Sequence, residues 1–170
     1  MDIESHLWVF LISAAPIVEL RLAIPLAINE YDLPWPSAVL AALAGNLIVV
    51  PFLLLFLERA TEVARRVGLF ATIIDQVFER TRRRGAIVEK YERIGLMLFV
   101  AIPLPGTGAW TGSLAALLFG VPFRQALVSI VCGVLIAAVI VTVLSLLGWA
   151  GAAIAGAALV TLAALGLWRI

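Results

Sequence analysis

The stretch Pro16-Ile17-Val18-Glu19-Leu20-Arg21-Leu22-Ala23-Ile24-Pro25 decides how this chain is read. It sets a carboxylate, Glu19, and a guanidinium, Arg21, inside an otherwise apolar run from Leu7 to Ile28, and a proline stands on either side of the charges. Ionisable groups at bilayer depth cost on the order of 3 kcal/mol or more each, so they persist where they face a partner or a cavity. Pro16 and Pro25 interrupt helical hydrogen bonding, and irregular backbone at that depth survives only where protein or a water-filled cavity covers it. Two readings follow: the charges serve a pathway, or they form a pair that locks two helices together.

The surrounding composition places the segment in a membrane. The chain has 170 residues, 64% of them hydrophobic and 14% charged, against about half and about a quarter in ordinary soluble domains. Its mean hydropathy is +1.12. That length fits one unit of a few membrane elements, with no room for a separate soluble catalytic domain. The net charge of +1 is uninformative, but nine of the twelve Lys and Arg residues fall between Arg59 and Arg93. A lone cysteine, Cys132, provides no disulfide framework. The N-terminal Met-Asp-Ile-Glu-Ser-His lacks the basic region of a signal peptide, so the first apolar run is expected to belong to the mature protein.

Working outward, the arm from Leu7 to Ala15 has nine residues before Pro16. Arms of nine to twelve residues rise roughly 15 Å, half the hydrocarbon thickness. Residues 7–30 therefore read as a kinked span or as a re-entrant hairpin, ended by the aromatic, proline-rich turn Tyr31-Asp-Leu-Pro-Trp-Pro36. Residues 37–57 carry no charge and have the length of a spanning helix. Within them Gly45 marks a close helix contact, and Asn46 needs either a backbone carbonyl or a place on a pore wall. The polar stretch 58–93 contains an amphipathic face, Phe70, Ile73, Ile74, Val77 and Phe78, suited to the membrane surface or the bundle. Arg82-Arg83-Arg84-Gly85 breaks the helix that carries this face and reads as a topology anchor.

Residues 94–123 are again uncharged and are broken in the middle by Ile102-Pro-Leu-Pro-Gly-Thr-Gly-Ala-Trp-Thr-Gly112. Pro103, Pro105, Gly106 and Gly108 are a poor recipe for continuous helix, and a second re-entrant hairpin is expected. Gly106-Thr107-Gly108 hints at a phosphate loop, but none is expected, because the Walker lysine and the dinucleotide pattern are both missing. Residues 125–147 and 149–168 supply two further spans, turning at Gly148-Trp149-Ala150-Gly151. The last of them, rich in Ala and Gly, is suited to pack against neighbours or a second protomer.

The two halves echo one another. Pro16 recurs as Pro103, 87 positions on; Pro34-Trp35 recurs as Pro122-Phe123 and Gly45 as Gly133, each 88 on. Paired Gly/Pro-interrupted segments in corresponding halves point to an inverted-repeat transporter site. Charge placement then chooses between hairpins and spans. With two hairpins, residues 58–93, Arg124 and Arg169 share one side, and Asp2, Glu4, Glu30 and Asp32 take the other, as the positive-inside rule requires. The expected fold is thus an all-α integral membrane protein: an inverted repeat of re-entrant hairpin plus transmembrane helix, joined by an amphipathic region and closed by an extra helix. Met1 and the 30–36 and 148–151 turns are expected outside, and 58–93, Arg124 and Ile170 in the cytoplasm.

At this point Pro16-Ile-Val-Glu19-Leu-Arg21 with Ile24-Pro25, and Pro103-Leu-Pro105-Gly106-Thr107-Gly108-Ala-Trp110-Thr111-Gly112, resemble the small multidrug export protein family, considered a distant relative of the DedA/VTT membrane proteins. The resemblance covers nearly the whole chain. It implies two inward-facing re-entrant hairpins and, for the wider superfamily, transport or scrambling of lipids, including polyprenyl-phosphate carriers, often tied to the proton gradient. Glu19 matches the acidic residue of the first hairpin. The paired arginines of the DedA second hairpin have no counterpart, since Thr107, Gly108, Trp110 and Thr111 stand there. The expected location is the plasma membrane of a prokaryote.

The resulting expectation is a transporter or flippase of a lipid-like or amphiphilic molecule. Glu19 would bind a proton or cation, because desolvation disfavours a charged carboxyl, and Arg21 would pair with it or receive an anionic headgroup. Pro16, Pro25, Pro103, Pro105, Gly106, Gly108 and Trp110 would form the tips, with Asn46, Thr107 and Thr111 lining the path. No cofactor, metal or nucleic acid is expected; the partners are the bilayer and the substrate. Zinc chemistry needs a ligand cluster, and the chain has one His and one Cys. A Ser or Thr nucleophile needs a base within reach, and Glu19 is the only deep carboxylate. The competing classes are a lipid-organising protein without transport and an intramembrane lipid-processing enzyme.

Overall fold

A computed structural model describes residues 3–16, 18–65, 85–104 and 106–167. The described residues form seven helices and no strand: α1 (Ile3–Ala14), α2 (Glu19–Asn29), α3 (Trp35–Arg65), α4 (Gly85–Ala101), α5 (Ala109–Phe119), α6 (Phe123–Leu146) and α7 (Trp149–Leu167). Each interrupted apolar segment is a pair of short helices, α1–α2 and α4–α5. Within α3 and α6, Trp35–Leu57 and Phe123–Leu146 are long and apolar enough to cross a membrane, at 23 and 24 residues. The polar stretch is less separate than 58–93 suggested, because α3 continues past Leu57 to Arg65 and α4 already begins at Gly85. Ala, Glu and Arg are good helix formers and nothing between Leu57 and Arg65 stops a helix. The amphipathic face at 70–78, Arg82-Arg83-Arg84, Pro105 and Arg169 lie outside the described residues.

The side chains sort as in a membrane bundle. Leu40, Phe52 and Phe56 on α3 and Val128 and Val139 on α6 point outward, each more than half exposed. Large apolar surface left uncovered marks an interaction with lipid or protein. Small residues make up much of the interior, beside larger ones such as Leu20, Ile24 and Ile130: Ala23 and Ala27 of α2, Ala38 and Ala42 of α3, Ala116 of α5, and Ala126, Ala137 and Ala138 of α6 are buried. Small side chains let helix backbones approach closely, the main source of packing energy where lipid removes the hydrophobic drive.

Two glycines fix the pairing of arm and long helix. A Cβ on Gly45 would overlap the Phe10 carbonyl of α1, and a Cβ on Gly133 would overlap the Met97 carbonyl and Val100 of α4. Thus α1 sits on α3 as α4 sits on α6, in the two positions that echoed each other in the sequence. Further along the second pair, Arg93 Nε donates to Gln125 Oε1 at 2.8 Å. Contacts 93–125 and 97–133 climb together, so α4 and α6 run parallel. The intervening α5 ends in the left-handed Gly120 (φ 69°) just before α6. Gly120 and Val121 donate to Leu117 and Ala116 in the paired bonds of a Schellman stop.

Helix α7 turns back at Gly148 (φ 55°), and Gly151 lies so close to the Leu144 carbonyl that a Cβ would overlap it. Its packing is principally against α6.

Gly45→Ala and Gly133→Ala are each expected to destabilise the protein by about 1–3 kcal/mol, the usual range for overpacking. Gly95→Ala, with no atom within 4 Å of its Cβ, should melt with the wild type. Thermal unfolding in detergent compares the three, and indistinguishable melting would contradict the close helix contacts.

Candidate functional site

Both interrupted segments break for covalent reasons, and the breaks leave backbone groups without partners. A helix start carries unpaired N–H groups and a helix end unpaired C=O groups. At the end of α4 the prolines worsen this, since Pro103 and Pro105 have no N–H to return to the preceding carbonyls. Leu104 N, the donor that would have continued the ladder to Val100 O, instead bonds Ile102 O at 2.8 Å. Deep in an apolar environment those orphans need donors and acceptors from elsewhere in the protein.

The charged pair of the first segment supplies them to the second. Glu19 is 3% exposed, and its Oε2 and Oε1 accept from Ala109 N at 3.1 Å and Trp110 N at 3.0 Å, the first two residues of α5. A carboxylate at a helix N-terminus meets both the free N–H groups and the positive end of the helix dipole. Arg21 serves the opposite pole. Its Nη2 donates to Val100 O (3.2 Å), Ile102 O (3.3 Å) and Thr107 Oγ1 (2.9 Å), all at the end of α4 and the turn beyond it. The Thr107 hydroxyl lies 2.7 Å from Ile102 O and 3.0 Å from Leu104 O, and its one proton serves the turn while its oxygen receives Arg21. The second segment reciprocates: Trp110 Nε1 donates to Ala14 O at 3.2 Å, the last carbonyl of α1. The first segment serves two helix ends of the second, and the second returns a bond to the end of α1.

Local backbone makes this reach possible. Glu19 has φ 49°, a left-handed conformation worth about 1–3 kcal/mol of strain for a residue of its kind. At the start of α2 it swings Glu19 out of the divergence that two residues on one regular helix would show. Arg21 Nη1 thereby comes to 3.8 Å from Glu19 Oε2, an ion pair at the edge of contact. The sequence spacing favours separate partners for the two charges. The structure has separate partners and also this loose pairing. Gly108 is the other half of the device. Its φ is 148°, and a Cβ would fall on the Glu19 carboxylate.

The other expected site residues divide around this centre. Pro25 and Pro103 join Arg21 in lining a cavity of about 740 Å³ between α2, the 102–104 turn, α6 and α7. Thr107, Gly108 and Trp110 belong to the capping network and do not line it. Thr111 turns back toward Gly108 O at 3.5 Å, Gly106 (φ 82°) forms the exposed turn, and Pro16 precedes the α2 tip. Asn46 does not line this cavity: 2% exposed, it donates from Nδ2 to Ser13 O at 3.1 Å while Ser13 Oγ donates to Ala42 O at 2.6 Å, riveting α1 to α3. Sequence reasoning missed the carbonyls that Arg21 caps, although the two prolines signalled them. It also missed that α7 would wall a cavity, because an Ala- and Gly-rich helix names no partner.

Fold and site define an all-helical membrane protein in which two interrupted helices complete each other's ends. Residues 19–140 match the model of the family described as Putative small multi-drug export protein, and the chain belongs to that family. The matched segment begins at Glu19 itself and spans both interrupted segments from there on. No curated protein and no solved structure matches the chain.

Gly108→Ala is expected to cost at least about 2 kcal/mol, combining left-handed strain with displacement of the carboxylate. Trp110→Phe, which deletes one N–H bond, should cost about 1 kcal/mol. Melting temperatures in detergent test the order, and a Gly108→Ala protein as stable as wild type would remove Glu19 from the α5 terminus.

Proposed function

We propose that the protein exports an amphiphilic molecule, lipid-like or drug-like, with the cavity beside Arg21 as substrate site and the cross-capped tips as its gate. One observation carries the reading: Arg21 both lines a mostly apolar cavity of about 740 Å³ and holds the two broken segments together. Whatever enters the cavity touches the gate. Clefts of this size and character hold small amphiphiles, and the family's description names export.

The parallel course of α4 and α6 supports a re-entrant α4–α5 hairpin, which returns to the side of its entry. By the sequence echo, α1–α2 is its counterpart in an inverted repeat, the arrangement of many transporters with sites at discontinuous helices. Glu19 is the coupling residue of this proposal. A proton on either oxygen converts an acceptor into a donor facing an N–H group, which loosens the α5 cap and the attraction to Arg21. Proton entry would thus release the tips. A second reading, a lipid-organising protein without transport, draws on the fact that both Glu19 oxygens are engaged by backbone in this conformation.

Efflux from liposomes under a pH gradient separates the two. Wild type should empty vesicles of a fluorescent amphiphile; Glu19→Gln should fold yet lose the response to pH; Ala152→Trp, which fills the cavity from α7, should abolish flux with little change in melting temperature. Full pH-driven efflux by a folded Glu19→Gln protein defeats the coupling role, and absence of wild-type efflux favours the organising role. In a Cys132→Ser background, single cysteines at Ser5 and Ser37 should react with an impermeant reagent from the same face; opposite faces would rule out the first hairpin.

A further inference from the structure

We infer that the cavity selects by charge, taking amphiphiles that carry an oxyanion (carboxylate, sulfate or phosphate) and turning away lipophilic cations. The inference rests on the reading of this cavity as the substrate site, and not on transport. Among the described residues that line it, Arg21 is the only one with a formal charge; Asn29 and Ser145 are the polar neutral ones, and the remainder are apolar or glycine. The nearest carboxylate, Glu19, is not in the lining, and its two oxygens are already engaged by Ala109 and Trp110. A cationic amphiphile would therefore meet Arg21 first, with its counter-ion Glu19 set behind it and outside the lining, in surroundings that screen poorly.

Arg21 also has donors to spare. A guanidinium offers five N–H groups. Among the described residues Nη2 takes the three acceptors and Nη1 stands 3.8 Å from Glu19 Oε2, which leaves Nη1 as the donor for a ligand, while Nε is buried out of its reach. An oxyanion is the ligand group that suits a charged donor of this kind. The cavity runs on from it: Arg21, Pro25 and Asn29 follow one another at four-residue steps along α2, about 12 Å from first to last. Facing them across the space, Ala152, Ala155 and Ala158 of α7 keep the opposite wall low. The apolar body of the ligand lies along this channel while its head faces Arg21. An arriving oxyanion competes with Glu19 for the same guanidinium, so occupancy loosens the 3.8 Å pair.

The test is binding, measured on protein purified in dodecyl maltoside by scintillation proximity with radiolabelled dodecyl phosphate. Saturable binding is expected, displaced by dodecanoate and not by dodecyltrimethylammonium. Inorganic phosphate, the head without the chain, should compete only weakly; if it displaces as well as dodecanoate, the site takes a free anion and the amphiphile claim is overturned. Arg21→Gln should weaken binding roughly tenfold or more, with partial rescue by Arg21→Lys. Where Arg21→Gln fails to fold, Ala155→Trp leaves every cap in place and should weaken dodecyl phosphate binding by narrowing the channel. Equal displacement by dodecyltrimethylammonium, no saturable binding, or binding indifferent to Ala155→Trp overturns the inference. Anion-selective binding without efflux would defeat the export reading alone. Efflux of cations blocked by Ala152→Trp would defeat charge selection alone.

Discussion

The structure depends on the need of broken helix ends for partners in a medium that offers none. Interrupting a helix within an apolar layer frees N–H groups on one side of the break and carbonyls on the other, and neither can turn to water. Here the acceptor for one pole and the donor for the other stand two residues apart, Glu19 beneath α5 and Arg21 beneath the end of α4. The return bond from Trp110 to Ala14 makes the arrangement mutual. Neither segment is complete without the other, so the tips are held by reciprocal need more than by apolar contact.

Around that centre the helices are fixed by close approach. Gly45 and Gly133 admit the arms α1 and α4 onto the long helices α3 and α6, and the Ser13–Asn46 rivet adds buried polar bonds to the first of these interfaces. The second interface is joined by Arg93 and Gln125 at its entrance. The two halves thus share a packing plan and differ in chemistry. The half that carries the charges is also the half with polar bonds buried beneath them.

Much of this was legible in the chain. Proline and glycine placement marked both breaks, the absence of charge marked the long helices, and the 87- and 88-residue echoes marked the glycines that now prove to be contacts. What could not be read was set by contacts across long sequence separation. Nothing near Glu19 announces that it would take a left-handed φ to reach Ala109, and nothing near Asn46 chooses Ser13 over a pore. The divergence of positions 19 and 21 on a regular helix favours separate partners unless the bracketing prolines unwind the backbone there, and a single unusual dihedral at the helix start does allow a loose pair. The cavity arose from α7, whose small side chains fit many neighbours and so predicted none.

The 3.8 Å separation of Glu19 and Arg21 has an electrical consequence. Two opposite charges so close behave toward the transmembrane voltage as a short dipole, on which the field does little work. A single charge at the same depth feels a share of about 2.3 kcal/mol per 100 mV. In its capped form the centre is therefore nearly blind to the membrane potential. Neutralising either partner leaves one charge bare, and a transmembrane voltage would then act on it in a direction set by which charge remains.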